Sequence, residues 1–290
     1  MEKHSRRKIP AVAPPADRST RRHEHQRPSQ PQNSRESLDT LFDGELKLFQ
    51  SRGGYRFSLD ALLLAYFVAL KRQVRVIDLG TGNGVIPLIL ARLHPEVTIT
   101  GVDYQSAMVE RAARNVELNH FGDRIALYRG DVRRADSLGS AASFDVVVCN
   151  PPYRRRTSGR TSPNDEKQIA RHEIHGELGD FLAAGAYLLR AKGRMAVVYL
   201  ASRAVDLLSS MRQARLEPKR LRMVHSFSDS EASLVLVEGV KQGRSGMVIL
   251  PPLIVYREGK VYSDEVAAMI AGGEKIPPHH EVHEGHEGVG

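Results

Sequence analysis

The sequence predicts an α/β protein with a mostly parallel β-sheet and helices on both of its faces. Between residues 74 and 200, short apolar runs typical of buried strands alternate with segments of helical periodicity. Two further strand-like runs follow, Leu221–His225 and Ser233–Val240, and only the short polar stretch Ser226–Glu231 separates them. So short a connection favours an antiparallel hairpin. We therefore predict a sheet of seven strands that ends in an antiparallel pair.

Each parallel strand is predicted from a short run of mainly apolar residues between turn-forming segments. The five runs are Val74–Leu79, Thr98–Val102, Ile125–Tyr128, Phe144–Cys149 and Met195–Leu200. Helical spacing is found in the segments 84–93, 105–119, 178–191 and 202–214. Because strands and helices alternate without interruption, we assign the whole region to one domain.

The two ends of the chain differ from this region in composition. Residues 1–35 hold nine basic and three acidic side chains, several Pro, Gln and Ser residues, and almost no large apolar residue. Such a segment buries too little apolar surface to offset its chain entropy, so we expect a disordered basic tail. Residues 273–290, rich in His, Glu and Gly, are expected to form a flexible tail without a metal site. The predicted domain is 36–272.

Charge and composition limit the possible classes of function. The formal net charge is +8, but the basic tail supplies most of it, so the domain tolerates a polyanionic partner without requiring one. The longest apolar run, Ala61–Leu70, is shorter than the roughly 20 residues of a membrane helix. The N-terminus has no apolar signal-peptide core, and the single cysteine, Cys149, excludes an internal disulfide. We therefore expect a cytoplasmic protein without a membrane partner.

A glycine-rich turn follows the first predicted strand. The strand runs into Asp78, and Gly80, Thr81, Gly82 and Gly84 follow before a helix. Glycine lets the backbone turn tightly and approach a ligand closely, while the N–H groups of a helix N-terminus point at it. The dinucleotide fingerprint Gly-x-Gly-x-x-Gly has its third glycine one residue later. The spacing, with an acidic residue two positions before the first glycine, resembles the S-adenosylmethionine-binding loop instead.

Two further carboxylates come at the ends of the next two strands. Asp103 ends the run Thr-Ile-Thr-Gly-Val-Asp, where a carboxylate can accept hydrogen bonds from both ribose hydroxyls of a nucleoside cofactor. Asp131 follows the third strand and is placed to accept from the adenine amino group. Either residue alone could be an ordinary loop carboxylate or a helix cap. Together with Asp78 they predict an S-adenosylmethionine site at successive strand ends.

The fourth strand runs directly into Asn150-Pro151-Pro152-Tyr153. An exocyclic amine on a base, or an amide, is a poor nucleophile because its lone pair is delocalised. Two neutral acceptors, the Asn150 side-chain oxygen and the Pro151 carbonyl, can hold both N–H bonds so that the lone pair faces a methyl donor. Pro152 supplies no competing N–H, and Tyr153 offers a face on which a planar base can stack. We predict that these four residues are catalytic and that Asn150 also lies against the cofactor. Cys149 is given no catalytic role.

A segment ahead of the first parallel strand adds a family resemblance. Residues 40–65 contain Gln50 before a glycine-containing turn, followed by the pattern Phe57-x-x-Asp60-x-x-Leu-Leu-Ala. With the motifs above, this segment resembles the bacterial tRNA1(Val) (adenine-37-N6)-methyltransferase family. Residues 170–173 and 252–256 are also similar to that family, and the resemblance spans about 40–265. It implies a Rossmann-like class I methyltransferase fold in which residues 36–72 close over the cofactor.

The resemblance also implies a substrate. It is the N6 amine of the adenosine immediately 3′ of a tRNA anticodon, adenine 37 of a valine tRNA, and a base in such a loop costs little to unstack. The expected partner is therefore RNA, by resemblance a tRNA. A basic run after Tyr153 could hold RNA phosphates or could be a solvated loop; it consists of Arg154, Arg155, Arg156 and Arg160. No chemical role is assigned to His172 or Glu173.

Three other functions are compatible with parts of this pattern. Glutamine-N5 methylation of release factors uses the same four-residue motif, but those enzymes carry a sizeable helical domain that the short region before Asp78 cannot supply. Guanine-N2 methylation of ribosomal RNA remains open. A nucleic-acid-binding module without activity is disfavoured, because such a protein needs no pair of acceptors facing a methyl donor.

Overall fold

The computed structural model describes residues 36–52, 59–153 and 176–273. Both predicted tails lie outside these residues, apart from Gly273. So do Phe57, the basic run 154–160 and the segment 170–173. The predictions made for those segments therefore remain predictions.

The described chain begins with a β-hairpin and a helix that precede the main sheet. Strands β1 (Glu36–Leu41) and β2 (Leu46–Ser51) form an antiparallel hairpin. Helix α1 (Leu59–Phe67) follows, and every residue from Ala61 to Phe67 is buried in it. The apolar run noted in the sequence is thus a short helix of the core. Within the described residues, no helix has the length and hydropathy needed to cross a membrane.

Seven long strands form the centre of the molecule. In chain order the elements are β3 (Arg75–Leu79), α2 (Val85–Leu93), β4 (Thr98–Asp103), α3 (Ser106–Leu118), β5 (Ile125–Arg129), β6 (Phe144–Cys149), α4 (Leu178–Leu188), β7 (Leu189–Leu200), α5 (Ala204–Gln213), β8 (Leu216–His225) and β9 (Ala232–Lys241). Their order across the sheet is β8-β9-β7-β6-β3-β4-β5. Strand β9 runs antiparallel to both of its neighbours, and the other strands of this set pair in parallel. The predicted terminal hairpin is confirmed.

The predicted strand number is wrong, because the sheet has nine strands. Two short strands, β10 (Val248–Ile249) and β11 (Leu253–Ile254), add in parallel to the outer edge of β8. Each has only two residues, and the pair Pro251-Pro252 separates them. Proline donates no ladder hydrogen bond and is confined to sheet edges, so no continuous run marks these strands in the sequence.

Three small elements complete the described chain. Strands β12 (Tyr256–Glu258) and β13 (Val261–Tyr262) form a separate hairpin. Helix α6 (Asp264–Ile270) begins after Ser263, whose Oγ accepts a hydrogen bond from the Val266 N–H group. This serine satisfies one of the N–H groups that the first turn leaves without a helical partner.

Alternating side chains of the central strands enter two different apolar cores. Val146 and Val148 of β6 belong to one cluster, together with α1, α2 and the β1–β2 hairpin. Val147 and Cys149 belong to the other, together with α4 and α5. Because consecutive strand residues point to opposite faces, both faces of the sheet are covered. This arrangement is the predicted α/β architecture.

One predicted helix boundary is wrong. The segment 178–191 was expected to be helical throughout, but α4 ends at Leu188 and Leu189 is extended, with φ −70° and ψ 137°. Strand β7 begins there and pairs Leu189 with Phe144. The apolar pattern continues across this junction, so only an irregularity within β7 follows it, where Lys192 has φ +61° and precedes Gly193.

Candidate active site

The glycine-rich turn connects β3 to α2 and rests against the end of β4. The N–H groups of Gly80 and Thr81 both donate to the Val102 carbonyl, at 2.8 and 2.9 Å. Gly80, Gly82 and Gly84 have φ angles of +78°, +56° and +83°. These angles lie in the left-handed region, which residues with a Cβ rarely adopt. Glycine at alternate positions is therefore a requirement of this turn.

Gly82 differs from the other two glycines in its surroundings. A Cβ added at Gly80 would approach the Phe181 ring to 3.1 Å, and one at Gly84 would approach the Ala112 Cβ to 3.1 Å. A Cβ at Gly82 would meet no protein atom within 4 Å. The backbone at Gly82 therefore borders open space at the carboxyl edge of the sheet, where ligands bind in folds of this kind.

The Asp103 carboxylate connects this turn to the end of β4. One of its oxygens accepts from the Gly82 N–H group and the other from the Gln105 N–H group, each at 2.9 Å. Its side chain is buried, with 9% of the residue exposed. These two bonds fix the Asp103 carboxylate beside the glycine turn at the end of β4.

Asp78 lies at the centre of the site and is completely buried. Neither of its carboxylate oxygens has a hydrogen-bond partner among the described residues, and the same holds for the Thr81 hydroxyl. Burial raises the pKa of Asp78 to about 7; the nearby Thr81 hydroxyl lowers it in part, and the charge of Asp103 raises it further. Buried polar atoms are normally paired. These three oxygens therefore fit a site that is completed by a polar ligand.

Asp131 is already engaged by a neighbouring cation. The Arg133 guanidinium donates to both of its oxygens, with the shortest contact at 2.6 Å from Nη2. This bonding holds the pKa of Asp131 below its usual range. The same guanidinium lies 5.9 Å from the ring centroid of Tyr104, the residue after Asp103. Any ligand that binds Asp131 must share it with Arg133 or displace that side chain.

The Asn150–Tyr153 turn follows β6 at the same sheet edge. The Tyr153 hydroxyl lies 2.8 Å from Asn150 Oδ1 and also 2.8 Å from Asp60 Oδ2 in the first turn of α1. The Tyr153 ring makes an edge-to-face contact with Tyr199, with ring centroids 5.7 Å apart. Arg203 donates to the Tyr153 carbonyl oxygen at 3.2 Å. The motif is thus held at both ends, and α1 reaches it through Asp60.

The remaining motif residues are placed as the chain order requires. Pro151 is buried, whereas Asn150 and Pro152 are partly exposed. Cys149, the last residue of β6, is buried, and burial raises the pKa of its thiol well above the usual value. Such a shift disfavours the reactive thiolate. The structure therefore brings Asp78, the glycine turn, Asp103, Asp131 and residues 150–153 to the carboxyl ends of four adjacent strands.

One residue at this site was missed by the sequence prediction. Asn115, on α3, is fully buried and donates to the carbonyl oxygens of Asn83 and Phe49 at 2.9 and 3.2 Å. Its Oδ1 accepts from the Phe49 N–H group at 2.7 Å. One turn later, Asn119 binds both main-chain groups of Lys47. A polar residue beside buried Ala112 and Val116 on a helix was the available signal.

Comparison with known proteins places this geometry in a family. A family model described as a methyltransferase domain matches residues 70–217, just over half of the chain. The tRNA1(Val) (adenine(37)-N6)-methyltransferase of Tolumonas auensis is 30% identical over 180 residues, which cover 59% of this chain and 73% of the relative. The chain belongs to this methyltransferase family.

Two further comparisons agree with this assignment. The tRNA1(Val) (adenine(37)-N6)-methyltransferase of Porphyromonas gingivalis is 31% identical over 164 residues, which span 56% of this chain and only 64% of that relative. The structure of a predicted O-methyltransferase from Agrobacterium tumefaciens aligns with a TM-score of 0.62 at 23% identity, covering 74% of this chain and 97% of that one. That likeness establishes the Rossmann-like methyltransferase fold.

Proposed function

We propose that this protein transfers a methyl group from S-adenosylmethionine to the N6 amine of an adenosine in tRNA. The observation that carries the proposal is the position of Asn150-Pro151-Pro152-Tyr153 at the end of β6, directly beside β3 and its glycine turn. An amine-binding motif and a nucleoside-binding turn then share one sheet edge. The names of the relatives indicate adenine 37 of tRNA1(Val) as the position.

The residues at the turn suit the proposed cofactor. Asp103 would hold the ribose hydroxyls, and Asp131 would accept from the adenine amino group. The open space at Gly82 admits close approach of a ligand to the backbone. When bound, S-adenosylmethionine supplies an electrophilic methyl group on a sulfonium centre.

The four-residue motif would activate the amine. The Asn150 carboxamide oxygen and the Pro151 carbonyl oxygen accept the two N–H bonds, which draws the nitrogen lone pair out of conjugation with the ring. Both interactions strengthen as positive charge develops on the nitrogen, so they lower the barrier specifically. No side chain has to remove a proton before the transfer. The Tyr153 ring would stack on the adenine, a contact worth about 1–3 kcal/mol.

A tRNA substrate agrees with these requirements. Base stacking and amine recognition demand an unpaired base, and loop bases are cheaper to extrude than paired ones. The alternatives of guanine-N2 and glutamine-N5 methylation share the motif, so the methylated product has to discriminate among them.

The proposal is tested by the identity of the product. The full-length protein is incubated with labelled S-adenosylmethionine and total RNA from a strain that lacks it, and nucleosides are analysed by mass spectrometry. We expect label in N6-methyladenosine of the tRNA fraction. Label in N2-methylguanosine, or in protein alone, would replace the proposed substrate. The Asn150→Ala variant should lose transfer while its calorimetric affinity for the cofactor stays within a few fold. Full activity in that variant would refute the proposed mechanism.

A further inference from the structure

The Tyr153 hydroxyl faces two hydrogen-bond acceptors but has only one O–H group to donate. Its oxygen lies 2.8 Å from Asp60 Oδ2 and 2.8 Å from Asn150 Oδ1. An ionised carboxylate and a carboxamide oxygen both only accept hydrogen bonds, whereas a phenol has a single O–H to donate. With the three oxygens facing one another, only one of the two short contacts can be a hydrogen bond.

The chemistry of the two acceptors decides where the proton goes. A hydrogen bond to a charged carboxylate is roughly twice as strong as one to a neutral oxygen, so the phenol donates its hydrogen bond to Asp60. The phenol oxygen then has lone pairs directed towards Asn150. A carboxamide has two ends of nearly equal size, and its partners determine which end faces which group. Asn150 satisfies the phenol oxygen by turning its NH₂ group towards it, and both short contacts become hydrogen bonds.

We propose that Asp60 is a positioning residue that acts through Tyr153 to keep the Asn150 carboxamide oxygen available for the substrate amine. This inference rests on the proposed function and extends it to a residue of α1, 93 positions away from Tyr153 in the chain. Without the Asp60 carboxylate, the phenol donates its hydrogen bond to Asn150 Oδ1 instead. That oxygen is then engaged, and the amine loses one of its two acceptors.

Two structural features support a fixed arrangement. The Tyr153 ring is held by its edge-to-face contact with Tyr199, so its hydroxyl cannot swing away without losing this packing. Helix α1 is rigidly placed, because its residues from Ala61 to Phe67 are buried in the core. The hydroxyl is therefore confined between a carboxylate on one element and a carboxamide on another.

A simpler role for Asp60 has to be separated from this one. A carboxylate in the first turn of a helix interacts favourably with the helix dipole, so its removal could act through helix stability alone. Asp264 is also a first-turn carboxylate, on α6. The Asp264→Ala variant is therefore the matched control for Asp60→Ala, and we expect it to retain wild-type turnover.

The test is a double-mutant cycle on the full-length protein with tRNA and S-adenosylmethionine. Asp60→Ala and Tyr153→Phe should each lower kcat at least about tenfold, while KM for tRNA and cofactor affinity stay within about threefold. Because Asp60 acts only through the hydroxyl, adding Asp60→Ala to Tyr153→Phe should change kcat by less than about twofold. Groups in one hydrogen-bond network show such non-additivity, and independent groups do not.

The outcomes separate the inference from the function on which it rests. The role of Asp60 would be overturned if the double variant lost kcat by the product of the two single effects. It would also be overturned if Asp60→Ala kept the wild-type kcat. Either outcome would leave the proposed methyltransferase activity unaffected. Absence of methyl transfer by the wild-type protein to any tRNA would overturn the proposed function instead. Urea unfolding without cofactor is the second readout. Non-additive midpoint shifts for the same variants are expected, and additive shifts would show that the network does not exist.

Discussion

The buried carboxamide of Asn115 donates a hydrogen bond to the Asn83 carbonyl oxygen at 2.9 Å. Asn83 belongs to the glycine turn between β3 and α2, and Asn115 belongs to α3. Asn115 also binds both main-chain groups of Phe49 in β2. One side chain therefore connects the proposed cofactor turn to the N-terminal hairpin, and the positions of these two elements depend on each other.

Replacing Asn115 by alanine should destabilise the protein and weaken cofactor binding together. The change leaves three buried main-chain groups without a partner, each at a cost of about 1–3 kcal/mol. We expect the free energy of unfolding to fall by at least about 2 kcal/mol in urea titrations, and calorimetric affinity for S-adenosylmethionine to fall as the turn loses its support. Asn119→Ala is the control, since Asn119 binds Lys47 but not the turn. Equal loss of cofactor affinity in both variants would contradict this explanation.

Gly82→Ala should impair ligand binding more than stability. The added methyl group meets no protein atom within 4 Å, so the fold bears only the cost of a left-handed alanine, about 1–2 kcal/mol. The methyl group would occupy the space that the cofactor is proposed to enter, and we expect its affinity to fall at least about tenfold. In Gly84→Ala the new group presses on Ala112 instead, so the unfolding midpoint should fall further. Unchanged affinity in Gly82→Ala would remove this turn from the cofactor site.

The free energy of unfolding should fall as pH rises, because burial raises the pKa of Asp78. Its pKa is about 7 in the folded protein and 3.8 in its ordinary state. Between these values the folded state holds a proton that the unfolded state has released, so the free energy of unfolding falls as pH rises from about 4 to 7. The full effect of about three pKa units is about 4 kcal/mol. Asp78→Asn does not titrate, and urea unfolding from pH 4.5 to 8 should show a flatter profile than the wild type. Parallel profiles would refute the raised pKa.

Arg133→Ala should strengthen cofactor binding. Arg133 donates to both oxygens of Asp131, so a ligand amino group has to compete with a charge-assisted contact. Removing this competitor should raise calorimetric affinity by a few fold, whereas Asp131→Ala should lower it. Added salt should reduce the difference in cofactor affinity between the wild type and Arg133→Ala, because screening weakens the exposed ion pair between Arg133 and Asp131. Weaker binding in Arg133→Ala would instead show that Arg133 itself contacts the cofactor.

The sequence predicted the parts of the fold that depend on hydrophobic period. Strand β6 was predicted at its observed bounds, because its apolar run begins and ends abruptly between polar residues. The two-residue strands β10 and β11 were not predicted, because Pro251-Pro252 divides the apolar residues around them into two short runs. They exist because the outer edge of β8 offers main-chain groups, which is a tertiary effect.

The candidate site likewise has features that the sequence predicts and features that it does not. Glycine spacing and residues at strand ends are local features, so the turn and Asn150 could be located from the chain alone. The contact between Asp60 and Tyr153, and the links from Asn115 to β2 and the turn, join segments far apart in sequence. A single sequence records the residue types but not which of them meet. The ion pair between Asp131 and Arg133 was missed although only one residue separates them, because a short spacing alone does not fix side-chain directions.

Asn115 of α3 and Asn119, the residue that follows this helix, also have a consequence for aggregation. Strand β2 pairs with β1 along one side, and the N–H and C=O groups of Lys47 and Phe49 on its other side are taken by Asn119 and Asn115. A strand edge with unpaired main-chain N–H and C=O groups can pair with a strand from another chain and so begin aggregation. Here side-chain amides stand in for the missing neighbour strand. A helix thereby blocks intermolecular β-pairing along this margin of the hairpin, without an additional strand.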